Sequence, residues 1–304
     1  MPIFKQEKNK LIQIKEKKFD LEKEIQNVTE ENLETIFGYK LVRPEFTLHN
    51  LRVDTVAYDS ETQAFVIIEY KKERNLSVID QGYSYLALLL NNKADFILEY
   101  NERMNDSLKR DDVDWSQSRV LFISPHFTTH QRGAIDFKDL PIELWEVKAY
   151  ENDTLLYNQL KAASTSESIK TVSKDKTIKA VSREVKEYTL EDHFKDTWQD
   201  SRDLFDGLRD KVLDIDQNIK EKIVKHYIAY EINNRNFAEV IAQKSGLKIY
   251  LDDEKKSLKS KVFPLTDCSK IGHWATGSTY LHLSQSDKLD DAFFLIKQVY
   301  EKYR

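Results

Sequence analysis

Residues Leu51–Lys72 read LRVDTVAYDSETQAFVIIEYKK, a pattern that predicts two β-strands joined by a tight turn. The first strand carries Asp54, and the second runs from an apolar stretch straight into Glu69, Tyr70 and Lys71. Because alternate residues of a strand point the same way, Glu69 and Lys71 share one face. A continuous apolar run is typical of a buried central strand. The carboxylate and the ammonium are therefore predicted at the edge of a core, where unpaired charges are costly, an arrangement that suits a divalent cation beside a phosphate.

The composition indicates a helix-rich protein with substantial cores. The chain has 304 residues, 40% of them hydrophobic and 33% charged, with only 7 Gly and 5 Pro, which favours two domains. A formal charge of −5 leaves the binding of any polyanion to local basic groups or to a metal. The single cysteine, Cys268, excludes an internal disulfide and fits a reducing cytoplasm. No stretch approaches the ~20 apolar residues that span a bilayer, so we expect a cytoplasmic protein without a membrane partner.

Two domains are predicted, over residues 1–162 and 189–304, joined by a polar linker over 163–188 that is rich in Ser, Thr and Lys. In the first domain, strands alternate with helices after the initial hairpin, which predicts an α/β fold with a mixed sheet flanked by helices. The Lys-rich start is predicted as a solvated helix. A further helix opens at Thr29 and continues to Phe37, Ser77–Asn91 is predicted as a helix, and Ala94–Tyr100 as a strand.

The second domain is predicted as a separate α+β domain. Its expected elements are helices to about Asp210 and over Ile219–Tyr230, strands within Phe237–Leu251 and Tyr280–Ser284, and a closing amphipathic helix over Asp290–Tyr303.

The charged end of the hairpin has the residues that phosphodiester hydrolysis requires. Carboxylates gather one or two Mg²⁺-type ions, and a cation offsets charge on the phosphate. Asp54 and Glu69 are the candidate metal ligands, with the backbone carbonyl of Tyr70 as a third oxygen. Lys71 is placed to orient the attacking water or to bind the phosphate.

Helices on either side of the hairpin add candidates. Gln81 and Tyr85 lie four residues apart and hence on one helix face, where they can hold the substrate strand or orient Lys71. The preceding helix supplies Glu30, Glu31 and Glu34. Of these three, Glu34 adjoins the apolar stripe and is the one expected to face the edge of the site.

These residues resemble the PD-(D/E)xK nuclease superfamily, in particular its NucS-like and RecB-like endonuclease branches. The resemblance covers about residues 24–100 and rests on Asp54, then Glu69-x-Lys71, then Gln81-x-x-x-Tyr85, with TEENLETIF (residues 29–37) similar to the leading helix of NucS-like proteins. It implies a restriction-endonuclease-like fold, catalytic roles for Asp54, Glu69, Lys71, Gln81 and Tyr85, metal ligation by Asp54, Glu69 and Glu34, and Mg²⁺ or Mn²⁺ as cofactor. Val53 departs from the family's nominal proline. Lys72 and Arg74 are candidate substrate-binding residues.

Two histidines, His126 and His130, flank the loop PHFTTH and invite a metal interpretation. No acidic or cysteine partner lies near them in sequence, so we interpret them as surface or packing residues.

The second domain resembles a domain of unknown function that often accompanies nuclease-like domains and is sometimes labelled "predicted transport protein". The matching segments are RNFAEVIAQKSGLKIYL (235–251), GHWATGS (272–278) and LIKQVYEKY (295–303). Transport is not expected from a chain without membrane spans. Two interpretations stay open: the aromatic residues form the core, or a nucleotide or nucleic-acid pocket forms from His226, Tyr227, Tyr230, Arg235, Asn236, Phe237, His273, Trp274, Thr276 and Gly277.

The sequence therefore predicts a metal-dependent endonuclease that hydrolyses phosphodiester bonds in DNA, in repair or in defence. The alternatives are a nucleic-acid-binding module that does not cut and an assembly protein that retains only a nuclease-like fold. The expected partner is nucleic acid, DNA in the first place, and a homo-oligomer is compatible with the sequence.

Overall fold

The computed structural model describes residues 2–19, 21–49, 51–71, 77–135, 137, 140–160, 175–253, 256–269 and 275–304. The chain divides into two compact units, Met1–Lys186 (unit 1) and Glu187–Arg304 (unit 2). Lys72, Arg74, His273, Trp274 and the first part of the predicted linker, 163–174, lie outside the described residues.

Unit 1 is built on a seven-stranded mixed sheet within its described part, with strand order β3-β8-β7-β6-β5-β4 and β9 pairing with β8. The strands of unit 1 are β1 Ile3–Glu7, β2 Lys10–Ile14, β3 Glu16–Lys17, β4 Tyr39–Leu48, β5 Leu51–Asp59, β6 Ala64–Tyr70, β7 Arg119–Ser124, β8 Ile142–Tyr150 and β9 Leu155–Leu160, of which β1 and β2 form a separate two-stranded sheet. The helices are α1 Glu22–Glu30, α2 Leu33–Phe37, α3 Val78–Asn91, α4 Lys93–Met104, α5 Thr129–Ala134 and α6 Lys176–Glu184.

The predicted hairpin forms the centre of this sheet. β5 and β6 pair antiparallel, whereas β6, β7 and β8 run parallel. All seven residues of β6 are buried because both faces of the strand are covered. Phe65 and Ile67 pack with residues of α3, α4 and α6, while Val66 and Ile68 pack with residues of α1 and α2. The predicted mixed sheet flanked by helices is confirmed.

A buried charge cluster lies at the end of the sheet opposite to Glu69. The Arg119 guanidinium donates to Asp59 at 2.7 Å and to the Tyr39 hydroxyl at 2.6 Å, and it lies 3.2 Å from Glu143. The second oxygen of Asp59 accepts the backbone N–H groups of residues 61 and 62. Every charge in this cluster therefore has a partner, as buried charges require.

Several local predictions for unit 1 are wrong. Ala94–Tyr100 lies in helix α4, since Phe96 and Tyr100 are four residues apart and enter the core on one face. The Lys-rich start forms the antiparallel hairpin β1–β2 instead of a helix. The helix expected from Thr29 to Phe37 is broken: α1 ends at Glu30, and α2 begins at Leu33.

The predicted linker also differs from the structure. Its described part contains helix α6, whose Ile178 and Val181 join the core of unit 1 together with Val185. Only a few apolar side chains anchor this short, mostly polar helix, which is why its composition resembled that of a linker. The structural boundary lies between Lys186 and Glu187.

Unit 2 has a six-stranded antiparallel sheet in its described part, in the order β10-β11-β12-β13-β15-β14, with helices packed on one face. The strands are β10 Lys220–Ile223, β11 Ile228–Ile232, β12 Arg235–Gln243, β13 Gly246–Leu251, β14 Thr266–Asp267 and β15 Thr279–Leu283, and the helices are α7 Leu190–His193, α8 Gln199–Leu213 and α9 Leu289–Tyr303. The α+β architecture is confirmed.

The helix predicted over Ile219–Tyr230 is wrong, because this segment forms β10 and the start of β11. The tyrosine and phenylalanine residues that the sequence grouped into a possible nucleic-acid pocket lie in two different hydrophobic clusters. Tyr230 and Phe237 belong to the core beneath α8 and α9, whereas Tyr227 belongs to a smaller cluster with Tyr250.

A buried carboxylate fixes one loop of unit 2. Glu239 is 1% exposed and accepts hydrogen bonds from the Thr276 hydroxyl at 2.7 Å, from the Gly277 backbone N–H at 2.9 Å and from the Asn236 amide at 3.1 Å. Burial raises the pKa of Glu239, and these donors oppose the rise. The donors of Thr276 and Gly277 are thus occupied within the fold.

Across the described ranges, no helix is long and apolar enough to cross a membrane.

The close approach of α3 to β8 depends on Gly82. A Cβ at this position would lie 2.5 Å from Cδ1 and 2.9 Å from Cγ1 of Ile142. We expect Gly82→Ala to lower the free energy of unfolding by about 1–3 kcal/mol, as overpacked cores do. Ile142→Val removes the nearest atom, so the double variant should recover part of the loss in chemical denaturation. Wild-type stability of the single Gly82→Ala variant would contradict this packing.

Candidate active site

Glu69 is a carboxylate almost enclosed by protein at the end of β6. It is 4% exposed. Its Oε1 accepts hydrogen bonds from Lys71 Nζ at 2.7 Å and from Gln81 Nε2 at 3.1 Å. Its Oε2 is buried, and the described residues provide no hydrogen-bond partner for it. A buried oxygen with formal charge and no donor is costly, and protonation of the carboxyl group, a cation or a water would each relieve this cost.

Asp54 lies beside Glu69 on the neighbouring strand. In the antiparallel register Thr55 pairs with Ile68, and Asp54 and Glu69 are the next residue beyond this pair on each strand. Directly opposed residues have Cβ atoms about 4.5–5.5 Å apart. Asp54 Oδ2 accepts the backbone N–H of Tyr70 at 3.0 Å, which fixes the carboxylate against the end of β6.

Helix α3 supplies the third side of the site. It begins after Ser77, whose hydroxyl accepts the Asp80 N–H at 3.3 Å in the manner of an N-cap. Gln81 Nε2 donates to Tyr85 Oη at 2.8 Å as well as to Glu69, and Tyr85 donates to the Arg52 carbonyl at 3.3 Å. The predicted pair on one helix face therefore orients Glu69, with Lys71 on the same carboxylate.

Burial sets the electrostatics of the two carboxyl groups. Burial is the largest cause that raises the pKa of Glu69, followed by the nearby charge of Asp54, while Lys71 opposes the rise. Burial likewise raises the pKa of Asp54, against the hydrogen bond from Tyr70 and the charge of Lys71. Two carboxyl groups with raised pKa values in one place would be stabilised as anions by a bound cation.

The donor set fits a hard divalent cation of the Mg²⁺ type. Among the residues that the structure describes, no group of three or more His, Cys, Asp and Glu is placed to hold a metal ion. Asp54 and Glu69 offer two carboxylates, fewer than such a group, and the Tyr70 carbonyl at the strand end is a candidate third oxygen. Mg²⁺ is commonly bound by one or two carboxylates while it retains several waters, and the open Oε2 of Glu69 supplies a ligand atom.

Glu34 does not join this arrangement. It is exposed in the first turn of α2, and no recorded contact within the described chain connects its side chain to Asp54 or Glu69. The break between α1 and α2 explains the error, since the sequence interpretation placed Glu30 and Glu34 on one continuous helix.

Helix α1 instead brings Glu30, one of the three acids considered above, together with Gln26 and Glu22, which the sequence interpretation missed. Gln26 Nε2 donates to Glu30 at 2.9 Å and to the Asp54 carbonyl at 3.3 Å, and Glu30 accepts from the Thr55 hydroxyl at 2.5 Å. The charge of Glu22, one turn before Gln26, contributes to the raised pKa of Asp54. The acids Glu22 and Glu24 ahead of buried Ile25 were the available signal of an earlier helix start.

Comparison with solved structures finds partial likenesses. A repair endonuclease from Pyrococcus abyssi matches with a TM-score of 0.26 and 17% identity over 43% of this chain and 49% of that chain. EndoMS in complex with double-stranded DNA matches with a TM-score of 0.29 and 18% identity over 48% and 64% of the two chains. Pyrococcus furiosus SfsA in complex with Ca²⁺ matches with a TM-score of 0.25 and 11% identity over 46% and 65%. The matches span about half to two thirds of those chains, and nothing about function follows from scores of this size.

Comparison with known sequences finds a matching family model and one relative that covers nearly the whole chain. A family model described as a domain of unknown function, DUF5655, matches residues 190–301, which lie within unit 2. An uncharacterized protein of Haemophilus influenzae (strain ATCC 51907 / DSM 11121 / KW20 / Rd) is 43% identical over 305 residues, which cover 98% of this chain and 99% of that protein. The chain therefore belongs to the same protein family as this uncharacterized Haemophilus influenzae protein.

Proposed function

We propose that this protein is a nuclease that uses Mg²⁺ or Mn²⁺ to hydrolyse phosphodiester bonds in DNA. The observation that carries the proposal is the open, buried Oε2 of Glu69, beside Asp54 and within a carboxylate–lysine–amide–phenol network. Asp54, Glu69 and the Tyr70 carbonyl would hold the cation. When bound, a divalent cation polarises a phosphoryl oxygen and lowers the pKa of a coordinated water.

The residues around the carboxylates have distinct tasks in this proposal. Lys71 is held 2.7 Å from Glu69 with its side chain 16% exposed, so its ammonium faces the site with little solvent around it. There it can orient the attacking water and offset negative charge on the phosphate. Gln81 keeps Glu69 in one rotamer through its amide N–H, and Tyr85 holds Gln81 in turn. Such fixed orientation removes the reorganisation that an exposed carboxylate would undergo.

A purely structural role for Glu69 is the simpler alternative, and it predicts a different environment. A structural carboxylate should have both oxygens satisfied, as Asp59 and Glu239 have. Glu69 differs because its Oε2 has no hydrogen-bond partner among the described residues, although the nearby Tyr85 hydroxyl helps to lower the pKa of this carboxyl group. This difference favours a cation-binding role for Glu69 over a purely structural role.

Without a bound metal ion, the buried charge of Asp54 should lower the free energy of unfolding of unit 1. Burial raises the folded-state pKa of Asp54 above its unfolded value of about 3.9. Between these two values the folded state binds more protons than the unfolded state, so wild-type stability falls as the pH rises through this window. Asp54→Asn removes the charge and keeps an acceptor for the Tyr70 N–H.

We therefore expect Asp54→Asn to raise the thermal unfolding temperature of unit 1 by a few degrees at about pH 7.5 in chelator-treated buffer. The gain should shrink as the pH falls through this window and disappear well below about pH 3.9, where the carboxyl group is protonated in both states. Calorimetry over this pH range gives the measurement. A variant that is less stable than wild type at neutral pH would contradict the strain ascribed to the site.

Cleavage tests the function itself. We expect the wild-type chain to nick or cut DNA with Mg²⁺ or Mn²⁺ present, and Glu69→Gln to lower the rate by at least about 100-fold, the order that a preorganised charged group supplies. The measurement uses a panel of plasmid, duplex and single-stranded DNA. Glu102→Gln, the same substitution at an exposed position of α4, is the matched control.

Two outcomes, of this assay and of a separate DNA-binding measurement, would reject the proposal in different ways. Equal cleavage by wild type and Glu69→Gln would assign the activity to another site or to a contaminant. Binding of DNA by the wild type without any cleavage in either metal would establish the binding-module alternative.

A further inference from the structure

A row of polar residues continues from the candidate active site across two more strands. Tyr70 pairs with Ile123 in the parallel register, and Ser124 pairs with Glu146. Lys71 follows Tyr70 and donates its backbone N–H to Ile123 O at 2.9 Å, so it continues β6 alongside β7. Neighbouring strands lie about 4.8 Å apart, which places the backbones of Lys71 and Glu146 about 10 Å apart, with Ser124 between them.

The side chains of Lys71, Ser124 and Glu146 belong to one face of the sheet. Alternate residues of β7 and β8 that precede Ser124 and Glu146, namely Phe122 and Leu144, pack in the same core as Ile67 of β6. Ile67 shares its face with Glu69 and Lys71 by the same alternation. Glu146 therefore faces the side of the sheet on which Glu69, Lys71 and Gln81 meet.

Glu146 holds an arginine at this end of the sheet. Arg132 Nη2 lies 2.5 Å from Glu146 Oε1, and Arg132 Nε donates to the Phe127 carbonyl at 3.3 Å. The side chain of Glu146 is 11% exposed, whereas that of Arg132 is 45% exposed. No partner of Arg132 Nη1 is recorded within the described ranges. The guanidinium is thus fixed on one edge and open to solvent on the other.

The segment that carries Arg132 is itself well anchored. Phe127 is 1% exposed in the core, and Thr128 and Gln131 form a capping box at the start of α5, with Gln131 N donating to the Thr128 hydroxyl at 3.2 Å. His126, with 57% of its side chain exposed, places Nδ1 4.0 Å from the same oxygen of Glu146. The arginine is therefore preorganised, and little rotamer entropy is lost when it binds a ligand.

We propose that Arg132 binds a backbone phosphate of the nucleic acid, one that neighbours the phosphate facing Glu69 and Lys71. The proposal rests on the proposed nuclease function and extends it with a second contact to the substrate strand. A planar guanidinium with a free edge matches two phosphate oxygens. In a chain with a formal charge of −5, such local cations have to supply the attraction for a polyanion. Arg132 would act by positioning the strand and would not touch the reacting bond.

An ion pair of purely structural role predicts a different response to substitution. In that case Arg132 only neutralises the partly buried Glu146, and the pair as a whole contributes nothing to binding. Replacing both residues by glutamine keeps the net charge of the chain and leaves no carboxylate without a partner. The double variant Arg132→Gln/Glu146→Gln therefore separates phosphate binding from neutralisation, and it avoids the destabilisation expected when one partner alone is removed.

The test measures DNA affinity in a Glu69→Gln background, which binds without cutting. Fluorescence anisotropy with a labelled duplex and a labelled single strand gives the dissociation constant from about 50 to 200 mM salt. Arg132→Gln and the double variant should both weaken binding several-fold for every sequence, and should reduce the slope of log K against log salt on duplex DNA by about 0.9, the value of one lost phosphate contact.

Arg103→Gln is the matched control. Arg103 is exposed near the end of α4, and Tyr100 of that helix packs against Tyr58 and Phe65, at the end of the strands away from Glu69. This variant should retain the affinity and the salt slope of the background. Thermal unfolding of each variant confirms that the fold is kept.

The outcomes distinguish the two proposals. If the background binds DNA and the double variant has the same affinity and salt slope, Arg132 only neutralises Glu146 and the inference is overturned. If neither wild type nor background binds DNA at any salt concentration, the inference fails together with the proposed function, and the wild-type result identifies the latter as the cause.

Discussion

The structure of unit 1 depends on one costly feature, a carboxylate at the end of a strand that is buried on both faces. Glu69 can occupy this position only because Lys71 and Gln81 reach its Oε1. Gln81 reaches it because α3 lies close against the sheet, which Gly82 permits beside Ile142. Asp54 completes the arrangement from the paired strand, where the Tyr70 N–H fixes it. Local sequence, helix packing and electrostatics therefore converge on this single group.

Glu69 differs from two other buried carboxylates of the chain in how its oxygens are hydrogen-bonded. Asp59 is matched by Arg119 and two backbone N–H groups, and Glu239 is matched by three residues of unit 2. These groups hold strands and loops together, and their hydrogen bonds offset the loss of hydration. Glu69 has the same burial with an oxygen left open. The proposed cation site would retain such strain, because complete internal pairing would compete with the ligand.

The sequence predicted the centre of unit 1 well and its surroundings less well. The hairpin, Asp54, Glu69, Lys71, Gln81 and Tyr85 follow from strand alternation and helix spacing, which are local properties. Glu34 was misplaced because the break after Glu30 depends on how Leu33 and Phe37 pack. Ala94–Tyr100 was ambiguous because a short apolar run suits a strand or a helix equally. The pairing of Arg132 with Glu146 joins α5 to β8, and this contact depends on the tertiary fold and not on a local sequence pattern.

Cation binding tests the central claim most directly, namely that Asp54 and Glu69 share a divalent ion. Electron paramagnetic resonance of free Mn²⁺ during titration of the full chain measures such binding without any substrate. The account predicts saturable binding by wild type and by Glu102→Gln, and its loss in Asp54→Asn and in Glu69→Gln. Equal Mn²⁺ binding by all four proteins, or its absence in wild type at millimolar Mn²⁺, would contradict the claim.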